Sequence, residues 1–261
     1  MSQFVKIKQF WKSVGPGLVT GASDDDPSGI ATYSQAGAQF GLMTLWTTII
    51  TIPLMAAIQQ MCARIGLVTS QGLTGTLKKH YSKPVLYIML LFSTPAIIMN
   101  IGADIAGMGA VGNLLFPQIE ATYFSVLFTI ILLGLIIYLP YQKIASTLKY
   151  LCIVMLVYFV VPFLYKQDFA QILSSTFIPK FEFSKAYLAI IVGILGTTIS
   201  PYLFFWQASV EVEEMQHKKK YLMVNKRLIH AMEQDVDFGM GFSGFVMYFI
   251  ILTTGTVLYQ S

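Results

Sequence analysis

The stretch Gly15-Pro16-Gly17-Leu18-Val19-Thr20-Gly21-Ala22-Ser23-Asp24-Asp25-Asp26-Pro27-Ser28-Gly29-Ile30 drives three consecutive carboxylates into a proline inside an otherwise apolar segment. An ionisable residue at membrane depth costs at least ~2.5 kcal/mol and is retained where it faces protein, water or an ion. Pro27 lacks a backbone donor and disfavours helix at Asp26, while Gly29 and the upstream glycines tolerate open backbone. A helix break is therefore expected here. Broken backbone within a bilayer survives only where it lines a cavity or is buried in protein, so the stretch is a candidate cation site.

Composition supports the membrane setting. Hydrophobic residues make up 55% of 261 positions and charged residues 11%, against roughly 25% charge in a soluble domain. The reading is an all-α integral membrane protein. Apolar stretches of spanning length (~20 residues) lie near 14–40, 42–63, 85–112, 122–140, 148–165, 186–210 and 239–259, giving seven spans. Of the 17 Lys and Arg, all but Lys166, Lys180 and Lys185 fall on the side of the amino-terminal tail. That bias orients the chain with its amino terminus cytoplasmic, as a multi-pass protein of the cell (inner) membrane. The tail, with Lys6, Lys8 and Lys12, lacks the apolar core and small-residue cleavage site of a signal peptide.

The net charge of +4 follows from this topology, and no motif supports nucleic-acid binding. Lys218-Lys219-Lys220 reads as a solvated cytoplasmic run. Cys62 and Cys152 sit in apolar runs and read neither as a disulfide nor as metal ligands. The 13 Met are scattered packing residues. His80, His217 and His230 fall in predicted loops without partners at ligand spacing. Trp11, Trp46, Tyr123 and Tyr259 lie near span ends as interfacial anchors.

A second interrupted span reads Gly193-Ile194-Leu195-Gly196-Thr197-Thr198-Ile199-Ser200-Pro201-Tyr202-Leu203-Phe204, where Gly196 and Pro201 bracket a short polar patch. An odd number of crossings separates Pro27 from Pro201, so the first and sixth helices run in opposite directions. Two broken helices in corresponding positions of inverted halves point to a midplane site in a secondary transporter. Residues 1–261 then form one transmembrane domain, with 1–165 a first five-helix repeat and 186–261 an incomplete second one. A five-plus-five repeat needs about ten spans, so the chain is expected to be truncated after about seven helices.

These residues resemble the Nramp divalent-metal transporters of the LeuT-like inverted-repeat fold, along nearly the whole chain. The family's Gly-Pro-Gly and Asp-Pro-Gly-Asn are matched by Gly15-Pro16-Gly17 and Asp26-Pro27-Ser28-Gly29. Its Arg-Ile-Gly-Ile-Val-Thr run is matched by Arg64-Ile65-Gly66-Leu67-Val68-Thr69, followed by Leu73 and Lys78 to Tyr81. Its third-helix Asp and Glu correspond to Asp104 and Gly107. Its Ala-Thr-Val-Met-Pro-His becomes Thr197-Thr198-Ile199-Ser200-Pro201-Tyr202.

The resemblance implies a metal site at Asp26, Gly29, Thr197 and Ser200, with Asp25 joining through water or lining a vestibule. Asp24, Asp104 and Tyr202 are implied along the ion or proton pathway. The divalent ion is then substrate; no permanently bound cofactor is expected. The family's soft Met sulfur, which favours transition metals, is here the hydroxyl of Ser200. Its Asn is here Gly29, expected to widen the pocket. Mg²⁺ is usually bound through one or two carboxylates with several waters retained. The chain is thus similar to the Nramp-related magnesium transporters, a side branch of the family. Two of the family's proton carriers are replaced, by Gly107 and Tyr202, which implies Mg²⁺ uptake without obligatory proton coupling. For a divalent ion 100 mV supplies about 4.6 kcal/mol.

Three alternatives stay open. A proton-coupled Mn²⁺ or Fe²⁺ carrier is the competitor within the family. A Na⁺-coupled carrier of organic solutes is disfavoured because three carboxylates repel a carboxylate substrate. A membrane enzyme could use Asp24 to Asp26 with Glu233-Gln234-Asp235-Val236-Asp237 to hold a Mg²⁺-diphosphate, although the second cluster falls in a predicted loop.

Overall fold

The computed structural model describes residues 16–140, 143, 144, 147, 153–217 and 224–259. Gly15, Lys6, Lys8, Trp11, Lys12, Lys149, Cys152 and Lys218 to Lys220 lie outside the described residues, as does the side chain of His217. The first apolar segment is broken as its sequence demands. Helix α1 (Pro16–Asp24) stops at the acidic run, and α2 (Pro27–Phe40) restarts with proline in its first turn. Proline is tolerated there because the first helical N–H groups have no intrahelical partner. Asp26 is the N-cap of α2, with extended φ and ψ of −74° and 171°, and its carboxylate accepts from Gly29 N. At the far end of α2 the chain turns at Gly41, whose φ of 58° suits glycine.

After these come α3 (Trp46–Thr69), α4 (Leu73–His80), α5 (Lys83–Leu115), α6 (Ala121–Tyr138), the short α7 (Val157–Val160) with a 3-10 turn at Val161–Leu164, and α8 (Phe169–Phe177). The chain continues through α9 (Lys185–Thr198), α10 (Pro201–His217) and α11 (Lys226–Val257). Among the described residues, five helical segments are long and apolar enough to cross a membrane: Trp46–Thr69, Lys83–Leu115, Ala121–Tyr138, Lys185–Met215 and Lys226–Val257. Ile153–Leu164 is a shorter apolar helix. The expected first span is the α1–α2 pair, too short in either half to be counted by itself.

Three sequence expectations need correction. The segment 211–238, expected to be a loop, is mostly helix, because α10 runs to His217 and α11 begins at Lys226. The acids from Glu233 to Asp237, and His230, therefore stand on a helix. The segments 64–83 and 166–185 likewise hold α4, which ends in His80, and α8. The break in the sixth span is confined to Ile199 and Ser200, since α9 continues through Thr198. A proline disturbs mainly the residue before it, and nothing in Gly196-Thr197-Thr198 forces the backbone open.

The bundle is organised on α11, which packs against α1, α2 and α3. Its apolar face meets Tyr33, Ala36 and Phe40 of α2 and Tyr187, Ile190 and Ile194 of α9 through Val246, Met247, Ile250 and Ile251. A second cluster joins Met232, Val236 and Met240 to Met55, Ala63 and Leu67 of α3. Against α1 the contact is made by backbone. Gly17 lies on the backbone of Asp235 and Val236, and Gly21 on that of Gly239. Small residues four apart permit such close approach of membrane helices. The broken helices cross in antiparallel fashion, with α2 on α9 and α1 on α10. By contrast α5 and α6 pair at the edge, and their apolar side chains are largely exposed.

Candidate functional site

The two breaks meet. A Cβ built on Gly29 would lie 3.5 Å from Thr197 Oγ1, 3.2 Å from Asp26 Oδ1 and 3.0 Å from the Asp24 carbonyl oxygen. Thus the start of α2 and the end of α9 face one another across a few ångströms, the juxtaposition expected from the opposed interrupted spans. Gly29 does not open onto a wide pocket, however; Asp24, Asp26 and Thr197 already crowd the space its missing side chain would fill.

Asp26 stands at the centre of a hydrogen-bond network. Oδ1 accepts from Gly29 N at 2.7 Å and Ser28 Oγ at 2.8 Å. Oδ2 accepts from Tyr202 OH at 2.8 Å and Asn100 Nδ2 at 3.0 Å. Four donors and the amino-terminal end of α2 surround this carboxylate. A cation reaching it must displace donors, three of which are side chains, Ser28, Asn100 and Tyr202.

Asp104 enters the same network from α5. Its Oδ1 accepts from Ser28 N at 3.0 Å, and Asn100 Nδ2 donates to its Oδ2 at 3.1 Å. Asn100 Oδ1 accepts in turn from Ser28 Oγ at 3.0 Å. Asn100 thus brings an amide from another helix to the Asp26 carboxylate. Asn100 and Ser28 escaped the sequence reading. The available signal was the four-residue spacing of Asn100 and Asp104, which sets both on one face of an apolar helix.

Thr197 Oγ1 is buried without a hydrogen-bond partner and points into the gap between the breaks. Ser200 behaves otherwise. Its hydroxyl donates to the carbonyls of Gly196, at 2.9 Å, and Thr197. It closes the end of α9 in the local manner open to any Ser near a helix terminus. Tyr33 OH and Thr198 Oγ1 join α2 to α9 at 3.0 Å. A Cβ on Gly107 would meet Pro27 Cβ at 3.2 Å, so this position abuts the first break and has little room for a side chain.

Asp24 and Asp25 turn away from this network. Ser243 of α11 donates to Asp24 Oδ2 at 2.7 Å, while Asp24 Oδ1 and both oxygens of Asp25 are buried without hydrogen-bond partners. The three consecutive acids are therefore divided between two sides of the break. No group of three or more His, Cys, Asp or Glu side chains converges as a metal cluster among the described residues. Donors here are carboxylates, hydroxyls and carbonyls.

The acids of α11 have structural partners. Arg64 of α3 pairs with Glu233, Gln60 donates to Asp237 at 2.5 Å, and Gly17 N donates to Asp235 Oδ2 at 2.7 Å. They tie α1 and α3 to α11 and leave no second acidic pair to face Asp24 to Asp26. At the opposite end of the bundle Trp46 Nε1 donates to Tyr187 OH at 3.2 Å, Tyr187 OH donates to the Lys180 carbonyl at 2.7 Å, and Trp46 rests on Phe181. Trp46 thus packs against protein in addition to its place near a span end.

Comparison with known proteins agrees with this architecture. Residues 17–261 match the natural resistance-associated macrophage protein-like (Nramp) family model. The chain is 25% identical over 257 residues to a divalent metal cation transporter MntH of Staphylococcus saprophyticus, covering 97% of this chain and 57% of the relative. It is 28% identical over 207 residues to MntH of Staphylococcus aureus, covering 78% and 46%. Among solved structures, a crystal structure of the Eremococcus coleocola manganese transporter superposes with a TM-score of 0.76 at 21% identity, over 95% of this chain and 53% of that one. The chain spans about half the length of the relatives it matches.

Proposed function

Because the chain belongs to the Nramp family, we propose that the full-length protein carries divalent metal cations across a cell membrane, with Mg²⁺ as the substrate. Asp26 supplies the charge, and the Gly29 backbone and Thr197 hydroxyl face it across the paired breaks. Ser200 acts by closing the end of α9, so that the Gly196 and Thr197 carbonyls are engaged within the helix. In this reading the amino terminus is cytoplasmic, supported by the bias of Lys and Arg to that side, and the two breaks lie near the bilayer midplane.

One observation carries this reading: a carboxylate and an unpartnered hydroxyl meet where two antiparallel broken helices cross, in a site with oxygen donors alone. Hard oxygen sites suit Mg²⁺, Ca²⁺ and Mn²⁺, whereas thioether or thiolate selects softer ions. The four donors on Asp26 favour a hydrated ion further. Water molecules on the ion can replace Tyr202 and Asn100 as hydrogen-bond donors at little net cost, and Mg²⁺ retains such waters. Position 107 is glycine and position 202 is tyrosine bonded to Asp26, which supports transport without obligatory proton movement.

The second reading is a proton-coupled Mn²⁺ carrier, favoured by the names of the relatives as divalent metal and manganese transporters. Proteoliposomes of the full-length protein separate the two when Mg²⁺ and Mn²⁺ uptake are followed beside a lumenal pH dye. The expected result is Mg²⁺ uptake driven by membrane potential with no lumenal acidification. Uptake of Mn²⁺ alone, or acidification in fixed proportion to metal, refutes the Mg²⁺ reading.

A further inference from the structure

The carboxylates that Asp26 leaves behind pose their own electrostatic problem. Asp24 is 0% exposed and Asp25 3% exposed, yet three of their four carboxylate oxygens have no hydrogen-bond partner. Most buried polar side-chain atoms are satisfied, and a buried ionised carboxylate without a counter-charge is far costlier than an unpaired hydroxyl. The fourth oxygen is held by Ser243 of α11, which also lies beside Asp25.

The ends of the half-helices reinforce the contrast with Asp26. Asp26 caps the amino-terminal, positive end of α2 and receives four donors. Asp24 is the last residue of α1 and Asp25 follows it, at the carboxy-terminal end, where the dipole is negative and the last carbonyls lack intrahelical partners. Half-helix ends of this polarity are suited to cations. A single proton would neutralise only one of the two carboxylates. A divalent ion would neutralise two carboxylates and bring waters to fill the remaining positions.

From these contacts we infer a second cation position between α1 and α11, formed by Asp24 and Asp25, with Ser243 holding Asp24 in place, and distinct from the Asp26–Thr197 gap. Its ligand is a hard divalent cation, Mg²⁺ or Mn²⁺. The two positions lie on opposite sides of one helix break, so that an ion passing the break exchanges one carboxylate partner for the next. The inference rests on the transport reading of the chain but assigns a separate set of residues.

The test is binding stoichiometry in the full-length protein in detergent, with Mn²⁺ as probe and its free concentration read by electron paramagnetic resonance. Wild type is expected to bind two ions, and Asp25→Asn and Asp26→Asn one each. Asp25→Asn keeps the side-chain shape and removes a buried charge, so its melting temperature without metal should equal or exceed that of wild type, while the rise on adding Mg²⁺ shrinks. Ser243→Ala is the milder probe. Loss of an outer partner of a metal ligand weakens affinity roughly 10- to 100-fold, here at one position only.

A single bound ion, abolished by Asp26→Asn and unchanged by Asp25→Asn and Ser243→Ala, overturns the second position and leaves the transport reading standing. Absence of any binding by wild type at millimolar Mn²⁺ and Mg²⁺ overturns both.

Discussion

Gly21→Ala is the perturbation that tests most directly how the break is held in place. A methyl group at position 21 would run into the Gly239 backbone, with the Gly239 Cα at 2.9 Å and its carbonyl nearer still. Carbon atoms pack at about 3.5–4.0 Å, so α1 must back away from α11 by roughly 1 Å. Both contacting surfaces are helix backbone, so no side chain can rotate to absorb the clash. Overpacking of this kind costs typically 1–3 kcal/mol, and the upper end applies here.

Gly102→Ala supplies the control. It lies in helix α5 with nothing within 4 Å of an added Cβ. Both substitutions gain about 1 kcal/mol of helix propensity, so the difference between them isolates the contact at roughly 2–3 kcal/mol. Thermal unfolding of the full-length protein in one detergent measures it. Gly21→Ala should melt below wild type and Gly102→Ala at or above it.

The site should respond too. A retreat of about 1 Å would stretch the Ser243 to Asp24 contact from 2.7 Å past hydrogen-bonding range, and Mg²⁺ uptake should fall even where the protein remains folded. Equal melting temperatures for the two variants, or unchanged uptake by Gly21→Ala, would refute the claim that backbone contact of α1 with α11 positions the acids.

Two further substitutions probe the network around Asp26, and a double-mutant cycle probes the ion pair that ties α3 to α11. Asn100→Leu removes the donor to Asp26 and Asp104 and the acceptor for Ser28; unsatisfied partners cost about 1–3 kcal/mol, and Mg²⁺ uptake should drop while helix content by circular dichroism stays unchanged. Tyr202→Phe takes away one of four donors on Asp26 and should cost about 1.5–3 kcal/mol of apo stability while leaving uptake measurable, because a metal-bound water can fill that position. For Arg64 with Glu233, whose side chains are 52% and 24% exposed, a double-mutant cycle to alanine should give a coupling of about 0.2–1 kcal/mol, declining in high salt.

The reach of the sequence differed among these features for physical reasons. Asp26-Pro27 dictated a break because proline and an N-capping acid act within a single turn, whatever surrounds them; the structure places α1 and α2 on either side of it. Pro201 alone did the same at Ile199 and Ser200. The polar patch before it stays helical because hydroxyls can satisfy their own turn, as Ser200 does on Gly196 and Thr197. The helical region 226–238 was hidden by its charges. Glu233, Asp235 and Asp237 read as solvated loop, but each is consumed by a neighbouring helix. Side-chain pairing across helices of distant sequence is invisible to local pattern.

Asn100 makes the same point from inside the site. Position-by-position matching put Gly29 where the family has an amide and read the pocket as widened. The structure fills that space with backbone and carboxylate atoms and brings an amide from α5 to the same carboxylate. What a cation meets is set by which atoms converge, not by which chain position contributes them. A substitution at position 29 and the nature of residue 100 therefore have to be considered as one change. It follows that Gly29→Asn should clash with Asp24 and Thr197 and fail to create a Mn²⁺-type site. Mn²⁺ binding by the full-length variant checks this, and a rise in Mn²⁺ affinity over wild type would contradict this account.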